Sequence, residues 1–275
     1  MPRRFLITGC GRSGTLYTSQ LLTAAGVACG HESACRVSGF KGMGDLVGEA
    51  SWYAAAYLED LPHDVVVIHQ VRQPLAVASS WYRIRLFART PLITVCYGQV
   101  TPRQLMRIAS TPRATTRRWQ YIRNQRQLVK RATKAFDASG EAERCVRYWS
   151  DWNRLAEEAS AGRPYLRFRL EDLGPRVWKE IGAFIEADLG PMPELTPARG
   201  RKYRVPTDQG FDKEISDPAN RKPRYPVRPF PAIAIPDSVR SLAEKYGYEL
   251  NAGEDASEEG AERRTQASAD TRARP

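Results

Sequence analysis

At 275 residues, 42% of them hydrophobic, the chain is long enough to bury a sizeable core in one large domain. Lysines and arginines number 42 against 31 acids, so the net charge is +11 and the favoured partners are anionic. Five cysteines without a Cys-x-x-Cys pair and only three histidines argue against a disulfide scaffold and a zinc module, and no apolar run approaches the length of a membrane span.

A first strand is predicted at Phe5–Thr8, so near the start that no room is left for a signal peptide, which points to a cytoplasmic protein. The strand breaks at Gly9, Gly11 and Gly14, and an amphipathic stretch with Leu16, Leu21, Leu22 and Ala25 follows. Strand, glycine-rich loop, helix is an arrangement that aims backbone N–H groups and a helix N-terminus at an anion. Glycines let the backbone approach it, Arg12 adds a permanent charge, and Ser13 and Thr15 add hydroxyl donors. The spacing Gly9-x-Gly11-x-x-Gly14 also fits the dinucleotide fingerprint, which leaves open an NAD(P)-dependent oxidoreductase with Glu32 at the ribose. The Gly-Lys-Ser/Thr ending of the kinase-type loop is absent.

A short apolar segment, 26–30, runs into His31-Glu32-Ser33; a glycine loop follows, and 46–61 reads as helical. Val65-Val66-Val67-Ile68 is a continuous β-branched run, the pattern of a strand buried on both faces of a parallel sheet. It ends in Arg72-Gln73-Pro74, after which 75–86 resumes helical spacing. Helical patterning recurs over 103–136, broken at Pro112, and over 141–159; a third strand is predicted at 165–169, with a helix then running to Phe184. Residues 190–236 carry ten of the 19 prolines and predict irregular structure. A last helix, 237–246, stops at Gly247, and 253–275 reads as a disordered tail. Strands alternating with helices imply an α/β fold, a P-loop-like three-layer sandwich with a central, mainly parallel sheet and helices on both faces, occupying 1–252 as a single domain.

Charge is unevenly placed. No acid occurs from Val65 to Phe136, where fourteen arginines and lysines do, most densely at Arg117, Arg118, Arg123, Arg126, Lys130, Arg131 and Lys134, with Trp119 and Tyr121 between. Such a face attracts an acidic substrate, an anionic cofactor or nucleic acid, so a non-catalytic polyanion binder also stays open.

In a sheet of this kind the loops after the first strand and after Val65–Ile68 can lie side by side. The second carries Arg72 and Ser80, which a helix starting near Pro74 turns onto roughly one face. Two anion-binding devices on neighbouring strands suit a ligand with two separated phosphates. Gly11-Arg12-Ser13-Gly14-Thr15 before a helix, then Val71-Arg72-Gln73-Pro74-Leu75 with Ser80, resembles the family of sulfotransferases that use 3′-phosphoadenosine 5′-phosphosulfate (PAPS). Cys29-Gly30-His31-Glu32 resembles the Gly-His-Glu or Gly-Glu-Glu segment of bacterial and protein-tyrosine sulfotransferases. Tyr148-Trp149 to Asn153, Arg169-Leu170-Glu171-Asp172-Leu173 and Tyr246-Gly247-Tyr248 resemble later segments, whereas 86–140 resembles none and forms a variable basic region.

The resemblance implies roles. Backbone amides of Gly11 to Thr15 (Gly14 included), with Arg12, Ser13 and Thr15, would hold the 5′-phosphosulfate, and Arg12 would balance charge developing on the bridging oxygen. Arg72 and Ser80 would hold the 3′-phosphate, and Arg201 and Lys202 lie where the family has a late basic loop over the cofactor. Gln73 stands where many members have Asp, and Arg12 replaces a lysine. The base that takes the acceptor proton would be Glu32, with His31 as rival or helper; His69 is expected to bond backbone, and Glu171 and Asp172 to pair with arginines or cap a helix. The expected reaction is sulfuryl transfer from PAPS to a hydroxyl of a carbohydrate, lipid, metabolite or tyrosine, leaving adenosine 3′,5′-bisphosphate, with no metal and no nucleic-acid partner. The arginines of 86–140 favour an anionic acceptor, and a homo-oligomer is compatible.

Overall fold

A computed structural model describes residues 2–89, 112–194 and 229–250. In chain order its elements begin with strand β1 (Phe5–Thr8), helix α1 (Thr15–Ala24), strand β2 (Cys29–His31), a small hairpin of β3 (Cys35–Arg36) and β4 (Gly39–Phe40), and strand β5 (Gly48–Ala50). A 3-10 helix (Trp52–Asp60), strand β6 (Val66–Val71) and helix α2 (Pro74–Ile84) follow. Then come helices α3 (Pro112–Ala132) and α4 (Glu141–Ala159), strand β7 (Tyr165–Arg169) and helices α5 (Pro175–Phe184) and α6 (Asp237–Lys245). The main sheet has five strands in the order β2-β5-β1-β6-β7, every pairing parallel.

The alternation of side chains along the strands assigns the layers. Phe5 and Ile7 of β1 and Val66 and Ile68 of β6 point to one face, against Leu21 and Leu22 of α1 and Val177, Trp178 and Ile181 of α5. Leu6 and Val67 point to the other, against Ala54 and Leu58 of the 3-10 helix. Further along that second face Val71 joins the largest cluster, built from Trp81 of α2, Tyr148, Trp149 and Trp152 of α4, and Val239 and Leu242 of α6. Each of the larger apolar side chains among these contributes about 1.5–3 kcal/mol when removed from water. The result is the expected three-layer α/β arrangement.

One stretch departs from expectation. Residues 46–61 do not form one helix: Gly48–Ala50 is a strand inserted between β2 and β1, and the helix begins only at Trp52, with a break at Tyr57 (φ −137). A three-residue strand with a glutamate at its centre carries no periodicity to read. Its insertion displaces β2 to the sheet edge. The remaining boundaries lie close to those predicted, and Gly247 takes the positive φ (76) of a helix stop. Arg201 and Lys202, most of the proline-rich segment and the tail 253–275 lie outside the described residues, as do 90–111 of the basic region. Among the described residues no helix is long and apolar enough to cross a membrane, and no three His, Cys, Asp or Glu side chains gather as a metal site.

Candidate active site

β1 is the central strand, and the loop beyond it turns tightly, with Ser13 N–H donating to Cys10 O at 3.1 Å. Gly14 caps α1 in the left-handed region (φ 96), which glycine enters at no steric cost, and its carbonyl accepts from Tyr17 and Thr18. The N–H groups of Thr15 and Leu16 therefore open the helix with no preceding carbonyl to bond. The amide of Gly11, expected to face the anion, donates instead to the Tyr148 hydroxyl at 2.8 Å. Its carbonyl accepts from Trp81 Nε1 at 2.9 Å. A Cβ at this position would sit 2.5 Å from the Trp81 ring, so Gly11 is a glycine because aromatic rings of α2 and α4 clamp it. Ser13 is wholly buried, and its Oγ has no hydrogen-bond partner among the described residues. Gln70, on β6, fastens the loop from behind by donating to Ser13 O (2.8 Å) while accepting from Thr18 Oγ1 (2.8 Å). A glutamine inside a buried β-branched strand was the available signal for that role, and sequence reasoning passed over it.

The turn after β6 lies beside the first. Arg72 Nη1 donates to Arg12 O at 3.1 Å, and Arg12 Nε donates to Ser80 Oγ at 2.8 Å. Ser80 thus serves Arg12, where the sequence had paired it with Arg72. Gln73 caps α2, its Oε1 accepting from Ala76 N–H at 2.5 Å. The backbone N–H of Gln73 donates to Glu171 Oε1 at 2.9 Å, and Tyr248 O–H donates to Glu171 Oε2 at 2.9 Å. Arg72 O accepts from Trp149 Nε1 at 2.8 Å. Glu171 is therefore a turn-holding carboxylate, while Asp172 pairs with Arg169 at 2.6 Å.

His31 ends β2, and Glu32 directly follows it. Although β2 lies two strands from β1, His31 Nε2 reaches within 3.4 Å of Thr15 Oγ1 and within 3.9 Å of Glu32 Oε1. Both residues are buried, at 4% and 9% exposure. Arg12 (φ 75) and Glu32 (φ 54) both hold left-handed backbone, which costs a non-glycine residue about 1–3 kcal/mol and persists where surroundings enforce it. Arg12, Ser13, Thr15, His31, Glu32, Arg72 and Ser80 thus line one end of the parallel sheet, at the C-terminal edges of β1, β2 and β6.

His69 is buried and bonds side chains rather than backbone. Asn153 Nδ2 donates to Trp149 O (2.8 Å), so its Oδ1 accepts from His69 Nε2 at 3.0 Å, and His69 Nδ1 accepts from Tyr165 O–H at 2.6 Å. Burial pushes its pKa down to about 4, so it stays neutral. Cys10 is likewise buried, its thiol pushed up to about 12 by the same cause.

The basic run is partly internal. Arg126 donates to Leu86 O, and beyond the run Arg144 of α4 donates to Ala138 O at 2.7 Å, Ser139 O at 3.2 Å and Phe87 O at 3.3 Å. Their guanidinium carbons lie 4.9 and 6.0 Å from the Phe136 ring centre. Burial and the Arg144 charge hold Arg126 below its usual pKa range. Tyr121 is used to dock α3, its hydroxyl 2.6 Å from that of Tyr53, which accepts from Gln125 Nε2 at 2.6 Å. The dinucleotide reading also meets an obstacle. Its ribose-binding acid follows a strand adjacent to the first, whereas β2 pairs with β5 and not with β1.

No protein-family model and no curated protein matches the chain. Among solved structures the chain is similar to the sulfotransferase domain from the curacin biosynthetic pathway, with a TM-score of 0.55 and 14% identity over 91% of this chain and 99% of that one. At this identity the likeness establishes the fold, which is that of a sulfotransferase domain, and leaves the chemistry to the residues.

Proposed function

We propose that the protein is a sulfotransferase that moves a sulfuryl group from PAPS to an acceptor hydroxyl. The observation that carries the reading is the junction of two turns, in which Arg72 donates to Arg12 O and Arg12 to Ser80 Oγ at neighbouring strand ends. Two guanidiniums, a helix N-terminus and the buried Ser13 hydroxyl, unpartnered among the described residues, form a donor set suited to a nucleotide with phosphates at both ends. Arg12, Ser13 and Thr15 would hold the 5′-phosphosulfate, and Arg72 the 3′-phosphate. When bound, PAPS supplies the sulfuryl group and a leaving phosphate oxygen. Arg12 balances charge on that oxygen, and being permanently protonated it does so without giving up a proton. Glu32 accepts the proton of the attacking hydroxyl, while His31, between Glu32 and Thr15, orients the pair.

The test is a set of titrations read beside labelled transfer. Wild type should bind adenosine 3′,5′-bisphosphate and transfer radiolabelled sulfate from PAPS. Arg72→Ala should weaken the bisphosphate more than tenfold while leaving adenosine 5′-phosphosulfate, which lacks the 3′-phosphate, within twofold. Equal loss for both ligands would remove Arg72 from the 3′-phosphate, and no binding of the bisphosphate by wild type would end the proposal.

A further inference from the structure

Glu49 is a fully buried carboxylate at the centre of the β5 strand, and the proposed chemistry makes no use of it. Its Oε1 accepts from the backbone N–H groups of Ser33 (2.8 Å), Ala34 (3.1 Å) and Cys35 (3.3 Å), and its Oε2 from Ser33 Oγ (2.7 Å). Burial pushes its pKa up, and these four donors act against the rise. Four donors on two oxygens are what a buried carboxylate needs to be tolerated at all. The three N–H groups belong to the residues that directly follow Glu32. Their carbonyls are held as well, Ser33 O by Arg36 Nε at 2.9 Å and Cys35 O by Ser51 Oγ at 2.8 Å. Before the turn, Glu32 N–H donates to Ala50 O at 3.1 Å. Glu32 is thus gripped on both sides in a left-handed conformation (φ 54) that its own side chain disfavours.

From this, and resting on the sulfotransferase reading, we infer that Glu49 is a positioning residue: it fixes the 32–35 turn so that the Glu32 carboxylate faces the Thr15 end of the first loop, where the acceptor hydroxyl must arrive. Glu49 bonds nothing in the anion-binding loops, so its loss should disturb proton removal and spare nucleotide binding.

The acceptor is unidentified, so turnover is read as radiolabelled transfer from PAPS to whichever of glucosamine, p-nitrophenol and a tyrosine-containing peptide the wild type takes fastest, or to water if it takes none. Nucleotide affinity is read by calorimetric titration with adenosine 3′,5′-bisphosphate. Glu49→Ala should lower kcat at least tenfold and leave that affinity within twofold. Glu49→Gln, which keeps an oxygen facing the three N–H groups, should return kcat to within threefold of wild type. If Glu49→Ala does not fold, Glu49→Asp replaces it, keeping the charge but pulling the turn back by one methylene; it should lose at least fivefold in kcat at unchanged affinity. The inference is overturned if the Ala or Asp variant keeps kcat within twofold, if affinity falls with kcat, or if Gln fails to recover turnover. A wild type that does not bind the bisphosphate overturns the sulfotransferase reading first, and that result is known before any variant is made.

Discussion

The phenolic oxygen of Tyr148 takes an N–H that the glycine-rich loop would otherwise present to a ligand, and it does so fully buried, 2.8 Å from Gly11. Tyr148→Phe leaves that N–H without a partner, and should cost about 1–3 kcal/mol in urea unfolding. His69 gives a second residue-scale expectation. Its pKa is about 4 in the fold and about 6.5 in the unfolded chain. Between those values the unfolded state binds more protons, so stability falls as pH falls, by about 3 kcal/mol over the window. The thermal midpoint of wild type should therefore drop from pH 6.5 towards pH 4. The slope should flatten in His69→Gln, and an equal slope in both proteins would assign the acid sensitivity elsewhere.

At the scale of elements, cations of neighbouring helices have opposite duties. Arg144 fills three carbonyls at the junction of α4 with the segments around Phe87 and Ala138. Arg144→Leu should cost about 3 kcal/mol, whereas Arg123→Ala, on the exposed face of α3, should stay within about 0.5 kcal/mol by the same denaturant titration. Residue type alone does not tell the two apart, because what separates them is the set of carbonyls that packing brings to Arg144, two just before α4 and one at Phe87, 57 residues away. The same reason divides what was legible elsewhere. β1, β6 and α4 announce themselves through unbroken apolar runs or helical spacing, and the loop Gly11–Thr15 through its residue types. β5 stayed hidden, since Gly-Glu-Ala becomes a strand only through pairing on both sides and through a carboxylate consumed by a neighbouring turn. The partners of Gly11 were hidden too: nothing local says that a tyrosine at separation 137 will reach its amide. Arg72 and Arg12 could be placed on adjacent turns, but which of them would own Ser80 depended on side-chain reach.

Across the whole molecule, the segment that follows α6 is joined to the Arg72 turn through a short relay. Tyr248 donates to Glu171, and Glu171 accepts from the backbone of Gln73, beside Arg72. Tyr248→Phe should weaken adenosine 3′,5′-bisphosphate by about threefold to tenfold, consistent with about 1 kcal/mol for one lost bond, and spare adenosine 5′-phosphosulfate. Equal affinities in variant and wild type would mean that the turn is held without the relay.

Each of the two turns also has an indole fastened to one of its carbonyls: Trp81 to Gly11 and Trp149 to Arg72. Indole emission responds to the strength of its N–H bond and to nearby charge, so the protein contains its own optical reporters, one on each turn. A fluorescence titration with adenosine 3′,5′-bisphosphate needs no label, and Trp81→Phe and Trp149→Phe would silence one turn each, so that on the proposed reading a response at the first loop is separated from one at the Arg72 turn.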